Sequence, residues 1–344
     1  MIKALILVAI ILSRVLVSAG QTIQEPRTFF REQIGLSDGQ IATIDGGGAV
    51  VKMLPSKTPA EVCIFGAMHV NAAPEDYLKF AFDMSRLRSL PSYLGVRRFS
   101  NPPTLSDLEG FTLEPDDIKS IKKCRPGKCD VQLSPEAMLQ LQKAVDWSAP
   151  DVAEQVNKRF RKMALELLSR YQKRGNGALE IYHDKSRAFN MDAAFQSLLS
   201  RSEVLPIYLP ELKRYLLEYP VAMLPNVESF FYWEKVNFGL KPTLRLNHVI
   251  AYRSTGPRGT ANVVVVKQLW ASHYFQLALD LTASVPGISR TNGAGSYIIS
   301  LKVSTQHGIT GLMGFFRRKV VVSKTLSVQE GSLINIKKAL EKRE

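Results

Sequence analysis

Four β-rich segments in the last third of the chain limit its fold more than any other feature. From residue 227 onward they read SFFYWEKVNF, LRLNHVIAYR, ANVVVVKQLWASHYFQLALDL and GSYIISLKVST, and the connections between them are short and rich in Gly, Pro, Ser and Asn. Short connections join antiparallel neighbours, because parallel strands need a long crossover. We therefore predict an antiparallel sheet in this region.

Apolar and polar side chains alternate along these segments, as they do where one face of a sheet is buried. Leu244 and Leu246, for example, alternate with Arg245 and Asn247. The side chains that we expect around a ligand on the inward side are Trp233, Glu234, His248, Tyr252, His273, Phe275, Leu277, Ile299 and Leu301. The same pattern is typical of a filled core, and the sequence leaves both interpretations open.

Helices are predicted both before and after the sheet. The strand pattern EVCIFGAMHVN runs into Ala73-Pro74-Glu75-Asp76, which starts a helix because proline and acidic residues suit the first helical turn. Residues 86–132 contain many prolines and are predicted to be irregular. Apolar residues at helical spacing predict helices near residues 134–147, 150–173, 192–201, 209–218 and 312–342.

The predicted fold class is α+β, with an antiparallel sheet wrapping a C-terminal amphipathic helix and a large, mainly helical insertion. We divide the chain into four parts. They are a signal peptide (1–20), N-terminal strands with a first helix (21–85), an irregular and helical insertion (86–226), and the sheet with its C-terminal helix (227–344).

The first twenty residues have the pattern of a secretory signal. A basic start at Lys3 precedes the apolar run ALILVAIILS, and Val17-Ser18-Ala19 provides small residues for a cut after Ala19 or Gly20. An uncleaved N-terminal anchor is the alternative. No other segment is long and apolar enough to span a bilayer. We expect an exported protein, periplasmic or secreted, that is soluble or peripheral to the membrane.

The charge of the chain bears on its partners. The formal net charge is +14, and removal of residues 1–20 takes away Lys3 and Arg14, which leaves +12. In an exported protein this excess favours an anionic membrane surface, an acidic polymer or an acidic protein over nucleic acid. An ordinary solvated basic surface explains the charge equally well.

Three cysteines are present. Cys124 and Cys129 flank Arg-Pro-Gly-Lys, and Pro-Gly favours a turn that brings the two thiols together. In an oxidising compartment the simplest interpretation is a disulfide, because the spacing fits neither a redox pair nor a structural zinc site. Cys63 lies in an apolar run and is predicted to be a small buried residue.

The order of elements resembles that of the START-like helix-grip proteins, in which a curved antiparallel sheet wraps the last helix around an apolar cavity. The segment VNAAPEDYLKFAFD is similar to the phrase that ends their first strand, with an extra residue before Pro74. The resemblance implies binding of a lipid or another hydrophobic ligand. CRPGKCDVQL and FYWEKVNFGLKP also resemble segments of exported bacterial proteins of unknown function.

No catalytic, cofactor or metal motif is present in the sequence, so the protein is interpreted first as a binding or carrier protein for a hydrophobic small molecule or lipid. The alternative is an enzyme, because His248, His273 and Glu234 would suffice for a metal with open coordination if they met. Two core histidines explain the same pattern. A third hypothesis is an envelope-surface interaction protein that uses its basic helices.

Overall fold

The computed structural model describes residues 26–342 except 240, 257–258 and 290, so the predicted signal peptide lies outside the described residues. Strands and helices are numbered separately along the chain. The described strands are β1 (Val50–Leu54), β2 (Glu61–Val70), β3 (Tyr93–Arg98), β4 (Ile181–Tyr182), β5 (Phe189–Asn190), β6 (Glu228–Val236), β7 (Thr243–Gly256), β8 (Gly259–Ala271), β9 (Phe275–Ser289) and β10 (Gly293–Gln306).

The α-helices account for most of the remaining described chain. They are α1 (Pro26–Glu32), α2 (Asp38–Asp45), α3 (Pro74–Phe82), α4 (Ser85–Arg88), α5 (Pro115–Ile121), α6 (Pro135–Ala144), α7 (Val152–Arg174), α8 (Met191–Ser200), α9 (Val204–Tyr208), α10 (Pro210–Glu218) and α11 (Gly311–Leu340). Within the described residues none of them is long and apolar enough to cross a membrane.

Eight strands form one antiparallel sheet in the order β1-β2-β10-β9-β8-β7-β6-β3, and β4 and β5 form a separate small hairpin. The C-terminal helix α11 packs against β1 and β2. The predicted α+β class is therefore confirmed. Neighbours in sequence are neighbours in the sheet from β6 to β10, as short connections require.

One face of the sheet, which we call the insertion face, carries Leu246, Ile250 and Val265. Helices α5 to α10 cover it over β6–β9, and the buried side of α7 contributes Phe160 and Tyr171 to the shared core. The helices α1 and α2 cover the same face over β1, β2 and β10, where buried aromatic and aliphatic side chains form a second core. Two separate helical covers therefore lie on one face.

The opposite face, which we call the α11 face, carries Ile64, Met68 and Val264. Leu333 of α11 packs there in the same cluster as Met68. The helix comes close because Gly66 has no side chain, and a Cβ on this residue would lie 2.8 Å from the Gln329 amide nitrogen. Helix α3 lies beside α11 and covers β8 and β9.

Several of the side chains predicted to surround a ligand between the sheet and the C-terminal helix lie on the insertion face instead. Ile299 pairs with Ala67, and Leu301 pairs with Phe65, whereas the intervening Gly66 faces α11. Tyr252 and Leu277 are buried in the core that the insertion covers. The prediction that these residues line a space between the sheet and its last helix is wrong, because alternation shows which residues share a face but not what covers that face.

Two stretches of chain differ from their predicted structure. The segment ANVVVVKQLWASHYFQLALDL, predicted as one strand, forms the two strands β8 and β9. A tight turn in which Tyr274 has φ +61° joins them. That turn contains neither Gly nor Pro, so the usual turn signal is missing. Strand β3 lies within the region predicted to be irregular and pairs with β6 at the edge of the sheet.

The predicted disulfide between Cys124 and Cys129 is present. The backbone between them forms a turn in which the Arg125 nitrogen donates to the Lys128 carbonyl at 3.1 Å, and Gly127 takes φ +86°. Both half-cystines are buried in the core of the insertion. The cross-link therefore fixes a loop against the helical cover of the sheet.

Candidate functional site

A cavity of about 830 Å³ lies on the insertion face, lined by residues of both helical covers. Strands β1, β2, β9 and β10 form its floor, and α8, α9 and the segment between them form its roof. Proteins normally fill their interior to the density of an organic crystal, and sites for small ligands occupy roughly 300–1,000 Å³. The cavity therefore has the size of a ligand site.

The deep wall of the cavity is apolar. Its floor and roof are formed by Leu54, Cys63, Leu198, Leu199, Val204, Leu205, Leu209, Leu279, Leu281, Leu301 and Val303. Leu301 and Val303 are only half-buried, although the strand that carries them lies inside the sheet. Apolar surface left in contact with water costs about 25 cal/mol per Å². An apolar ligand in the cavity would remove that cost.

Charged side chains lie around the mouth of the cavity. Arg201 at the end of α8 pairs with Glu61 at 3.1 Å, and Lys57 pairs with Glu203 at 3.9 Å. Both pairs connect the roof to the β1–β2 hairpin. The Lys57–Glu203 pair is mostly exposed, so its contribution to stability is small.

Two further contacts hold the covers at the edge of the cavity. Lys52 donates its Nζ to the carbonyl oxygens of Ile34 at 2.9 Å and Gly35 at 2.7 Å, which fixes the segment between α1 and α2. The rings of Phe29 and Tyr208 meet edge to face with centroids 5.1 Å apart. The cavity is therefore bounded by positioned groups on both sides.

Cys63 is the free cysteine of the chain and lines this cavity. Burial, and then the nearby Glu61 carboxylate, raises the pKa of its thiol to about 11. Because the thiolate is the reactive form of cysteine, this environment makes Cys63 a poor nucleophile. The prediction of a small apolar residue fits its surroundings, although the side chain is half-buried rather than fully buried.

Of the nine side chains predicted to contact a ligand, Leu301 lines the cavity. Leu277, Ile299 and Tyr252 are buried in filled core. Phe275 packs its ring 5.2 Å from that of Phe238.

Trp233 also fills core, and its indole nitrogen donates to the Asp107 carbonyl at 2.7 Å. Its ring packs edge to face on Phe111, with centroids 5.5 Å apart. The polar end of the indole is satisfied by backbone and its apolar body by an aromatic neighbour, as is usual for a buried tryptophan. Trp233 therefore has a packing role between β6 and the insertion.

His248 belongs to a buried polar cluster between β7, β8 and α7. The Lys267 Nζ donates to the Tyr171 hydroxyl at 3.2 Å and to the Asn176 side-chain oxygen, and the same hydroxyl lies 3.2 Å from the His248 Nδ1. Burial lowers the pKa of Lys267 to about 7. Burial, and then the nearby Lys267, lowers the pKa of His248 well below its usual value.

His273 has a different set of partners. Its Nε2 lies 3.0 Å from an Asp117 carboxylate oxygen and its Nδ1 lies 3.1 Å from the Asp130 carbonyl. Lys241 pairs with the other Asp117 oxygen. Burial would raise the pKa of Asp117, but the hydrogen bonds and charges of His273 and Lys241 lower it. Both imidazole nitrogens face acceptors, so neither is available to a metal or a substrate.

Glu234 lies on the α11 face and is separated from both histidines by the sheet. It accepts from Arg245 at 2.9 Å and from Asn247 at 3.2 Å. In the pairing of β7 with β8, His248 lies opposite Lys267. Arg245, three residues before His248, lies opposite Ala271, which is two residues before His273. Three residues of strand span about 10 Å, so the two imidazoles lie at different heights along the sheet.

The predicted trio is therefore not assembled. Within the described residues, no group of three or more His, Cys, Asp or Glu side chains is placed to hold a metal ion.

No family model, curated protein or solved structure matches this chain. The START-like relationship consequently stays a prediction, and the arguments about the cavity rest on its own geometry.

Sequence reasoning missed most of the cavity for a physical reason. Leu279 and Leu281 in the floor share the face of Leu277. The alternation that predicts Leu277 on the inward face therefore predicts the same face for Leu279 and Leu281. The roof gave no such signal. Leu199 of α8, Leu205 of α9 and Leu209 just after α9 are buried with the core of the insertion, and only the tertiary structure shows that they also line a cavity.

Proposed function

We propose that the chain is a binding or carrier protein for a hydrophobic small molecule such as a lipid, held in the cavity between α8–α9 and β9–β10. The observation that carries the proposal is the apolar cavity of about 830 Å³. Its deep wall suits an acyl chain, and the charged mouth gives a polar head group a place in contact with water. An amphipathic lipid has both parts.

The chemistry of the lining supports binding rather than reaction. In the part of the chain that the structure describes, the lining contains no histidine, and its cysteine has a raised pKa. A nucleophile needs a neighbouring base or a lowered pKa. The pKa of Cys63 is raised, and the nearby Glu61 carboxylate is ion-paired with Arg201, so the cavity is proposed as a place of storage or transport.

The proposed place of action is outside the cytoplasm, in the periplasm or after secretion. Support comes from the signal pattern of residues 1–20 and from the Cys124–Cys129 disulfide, because disulfides persist in oxidising compartments. N-terminal sequencing of the protein from its native source should begin at Gly20 or Gln21. A mature chain that begins at Met1 would contradict the proposal.

Two tryptophan substitutions on neighbouring strands test the cavity. Leu301 lines it, so Leu301→Trp should obstruct it, weaken binding of a fluorescent fatty-acid probe and change the free energy of unfolding little. Leu277 is 1% exposed in filled core, so Leu277→Trp should destabilise the protein by about 1–3 kcal/mol and leave probe affinity unchanged while the protein is folded. Probe titration and urea unfolding measure both quantities.

The thiol of Cys63 gives a second readout inside the same cavity. A fatty acid bound there should slow modification of Cys63 by a small methylating thiol reagent, and Leu301→Trp should weaken the protection. The reaction is best followed at about pH 9, because a raised pKa leaves little thiolate at neutral pH. Absence of probe binding by the parent, or unchanged binding by Leu301→Trp, would refute the proposal.

A further inference from the structure

The first half of α11 exposes large apolar side chains next to cations. Phe316 is 68% exposed and Val320, one turn later, is 56% exposed. The inner side of the same stretch packs on the sheet, where Val321 and Leu326 contact the cluster of Val62, Ile64 and Ile309. The helix is therefore anchored by one side, and the other side carries apolar groups into solvent.

Along the helix, the charged side chains next to these apolar groups are all positive. Residues 316–329 contain Arg317, Arg318, Lys319 and Lys324 and no carboxylate, and the first acid is Glu330. Arg317, Lys319 and Lys324 are exposed. Apolar side chains flanked by Lys and Arg are the features by which an amphipathic helix lies in the interface of an anionic bilayer.

A second exposed apolar pair gives a useful contrast. Val221 is 83% exposed and Met223 is 87% exposed in the loop between α10 and β6. Exposed acids, Glu218 and Glu228, flank this loop on both sides. Since acids oppose approach to an anionic surface, charge separates the two apolar surfaces although their exposure is similar.

The helix surface is also tied to the mouth of the cavity. The Arg318 guanidinium donates to the Pro59 carbonyl at 2.6 Å, to the Glu61 carbonyl at 2.9 Å and to the Ser56 hydroxyl at 2.9 Å. These residues belong to the β1–β2 hairpin, whose Lys57 and Glu61 lie at the mouth. A surface that touches α11 at this end therefore lies beside the opening.

We propose that Phe316, Arg317, Lys319, Val320 and Lys324 form a docking surface for an anionic phospholipid bilayer. The apolar side chains enter the interface, and the cations face the lipid phosphates. Docking stands apart from the proposed function, because the surface and the cavity lie on opposite sides of the β1–β2 hairpin. If both hold, a lipid would leave the bilayer close to the mouth of the cavity.

Vesicle co-sedimentation of the full chain without added ligand tests the surface. The parent should sediment with vesicles containing phosphatidylglycerol and not with pure phosphatidylcholine vesicles. Binding should weaken as salt rises past physiological strength, where the screening length is roughly 8 Å. Phe316→Ser with Val320→Ser should reduce partitioning at least tenfold, and Lys324→Gln should reduce it about fivefold, as expected for one surface charge.

The matched control is Val221→Ser with Met223→Ser, which removes similar exposed apolar groups and should leave partitioning unchanged. Circular dichroism confirms that each variant is folded. Equal binding to neutral vesicles, unchanged binding by the Phe316/Val320 variant, or loss of binding by the control would each overturn the proposal. Leu301→Trp should bind vesicles like the parent, so failure of the cavity and failure of the docking surface give different results.

Discussion

Two cations inside the protein, on opposite faces of the sheet, show that the protonation of such a group depends on its partner. Arg245 lies on the α11 face with the Glu234 carboxylate at 2.9 Å. Lys267 lies on the insertion face, is 1% exposed, and has hydroxyl, amide and aromatic neighbours. The Arg245 side chain keeps 12% of its surface exposed, and the main difference between the two cations lies in their partners.

The pKa values of the two groups move in opposite directions. Burial by itself would lower the pKa of Arg245, but Glu234 raises it above the usual value. Burial lowers the pKa of Lys267 to about 7, and the distant Asp192 carboxylate opposes this only in part. A buried cation therefore keeps its charge where a carboxylate is in contact and tends to lose its proton where neutral groups replace one.

The first prediction concerns the loss of the carboxylate from the Glu234–Arg245 ion pair. Glu234→Gln leaves the Arg245 guanidinium buried without its anion and should lower the free energy of unfolding by about 3–5 kcal/mol. Urea unfolding measures the loss. In the double variant Glu234→Met with Arg245→Met the loss should be smaller, because no unpaired charge remains. Equal losses in the two proteins would contradict the account.

The second prediction uses pH to sharpen the comparison. The folded-state pKa of Lys267 lies below its unfolded value, so above about pH 7 the unfolded chain binds more protons than the folded one. The free energy of unfolding should then rise with pH, by up to about 1.4 kcal/mol per unit. The window is pH 7–9, and the Lys267→Met variant serves as the reference, because above about pH 8.5 the Cys63 thiol titrates in the unfolded chain but not in the folded one and opposes the rise in both proteins.

Lys267→Met should flatten this rise, and it should be close to the parent in stability at pH 7. The substitution removes the cost of burying an amine but leaves the Asn176 oxygen without its donor, and these effects oppose each other. Unfolding measured at pH 7, 8 and 9 gives both slopes. A parent whose stability does not change over this range would show that Lys267 keeps its proton.

The third prediction concerns the hydroxyl that connects Lys267 and His248. Tyr171→Phe removes the group that accepts from the lysine and contacts the imidazole, while the ring continues to pack on Tyr219 with centroids 5.1 Å apart. We expect a loss of about 1 kcal/mol, the usual value of one buried hydrogen bond. Tyr215→Phe on α10 is the control, because it removes a buried hydroxyl whose hydrogen-bond partner is Ser229, outside this cluster. A loss much larger than that of the control would mean that the cluster acts as a cooperative network.

Much of the fold could be predicted because it depends on local patterns. The start of α6 follows from Ser134 and Pro135, since the serine hydroxyl accepts from the Ala137 nitrogen and proline suits the first helical turn. The strand pattern of residues 61–71 is β2, and the Cys124–Cys129 pairing follows from the Pro-Gly turn between the thiols. The turn at Tyr274 could not be predicted, because a tyrosine at φ +61° carries no compositional signal.

The candidate site was less accessible to sequence reasoning. Alternation placed Leu277, Ile299 and Leu301 on one face correctly, yet Leu301 borders open space whereas Leu277 is packed. The difference comes from α1 and α8–α9, which are remote in sequence and meet at Phe29 and Tyr208 but leave a cavity next to Leu301. Two histidines and a glutamate at suggestive strand positions did not meet, because a one-residue offset sends a side chain through to the other side of the sheet.

The sequence by itself determined an antiparallel sheet, the helices that precede and follow it, the disulfide, and which side chains share a face. It could do so because turn chemistry, helix caps and the two-residue period of a strand act over a few residues. Only the tertiary structure decided that α11 covers the face opposite Leu301, that no carboxylate of the described residues pairs with Lys267, and where the two helical covers leave a cavity. Those outcomes depend on how elements distant in the chain pack, and packing is set by the shape of all the side chains together.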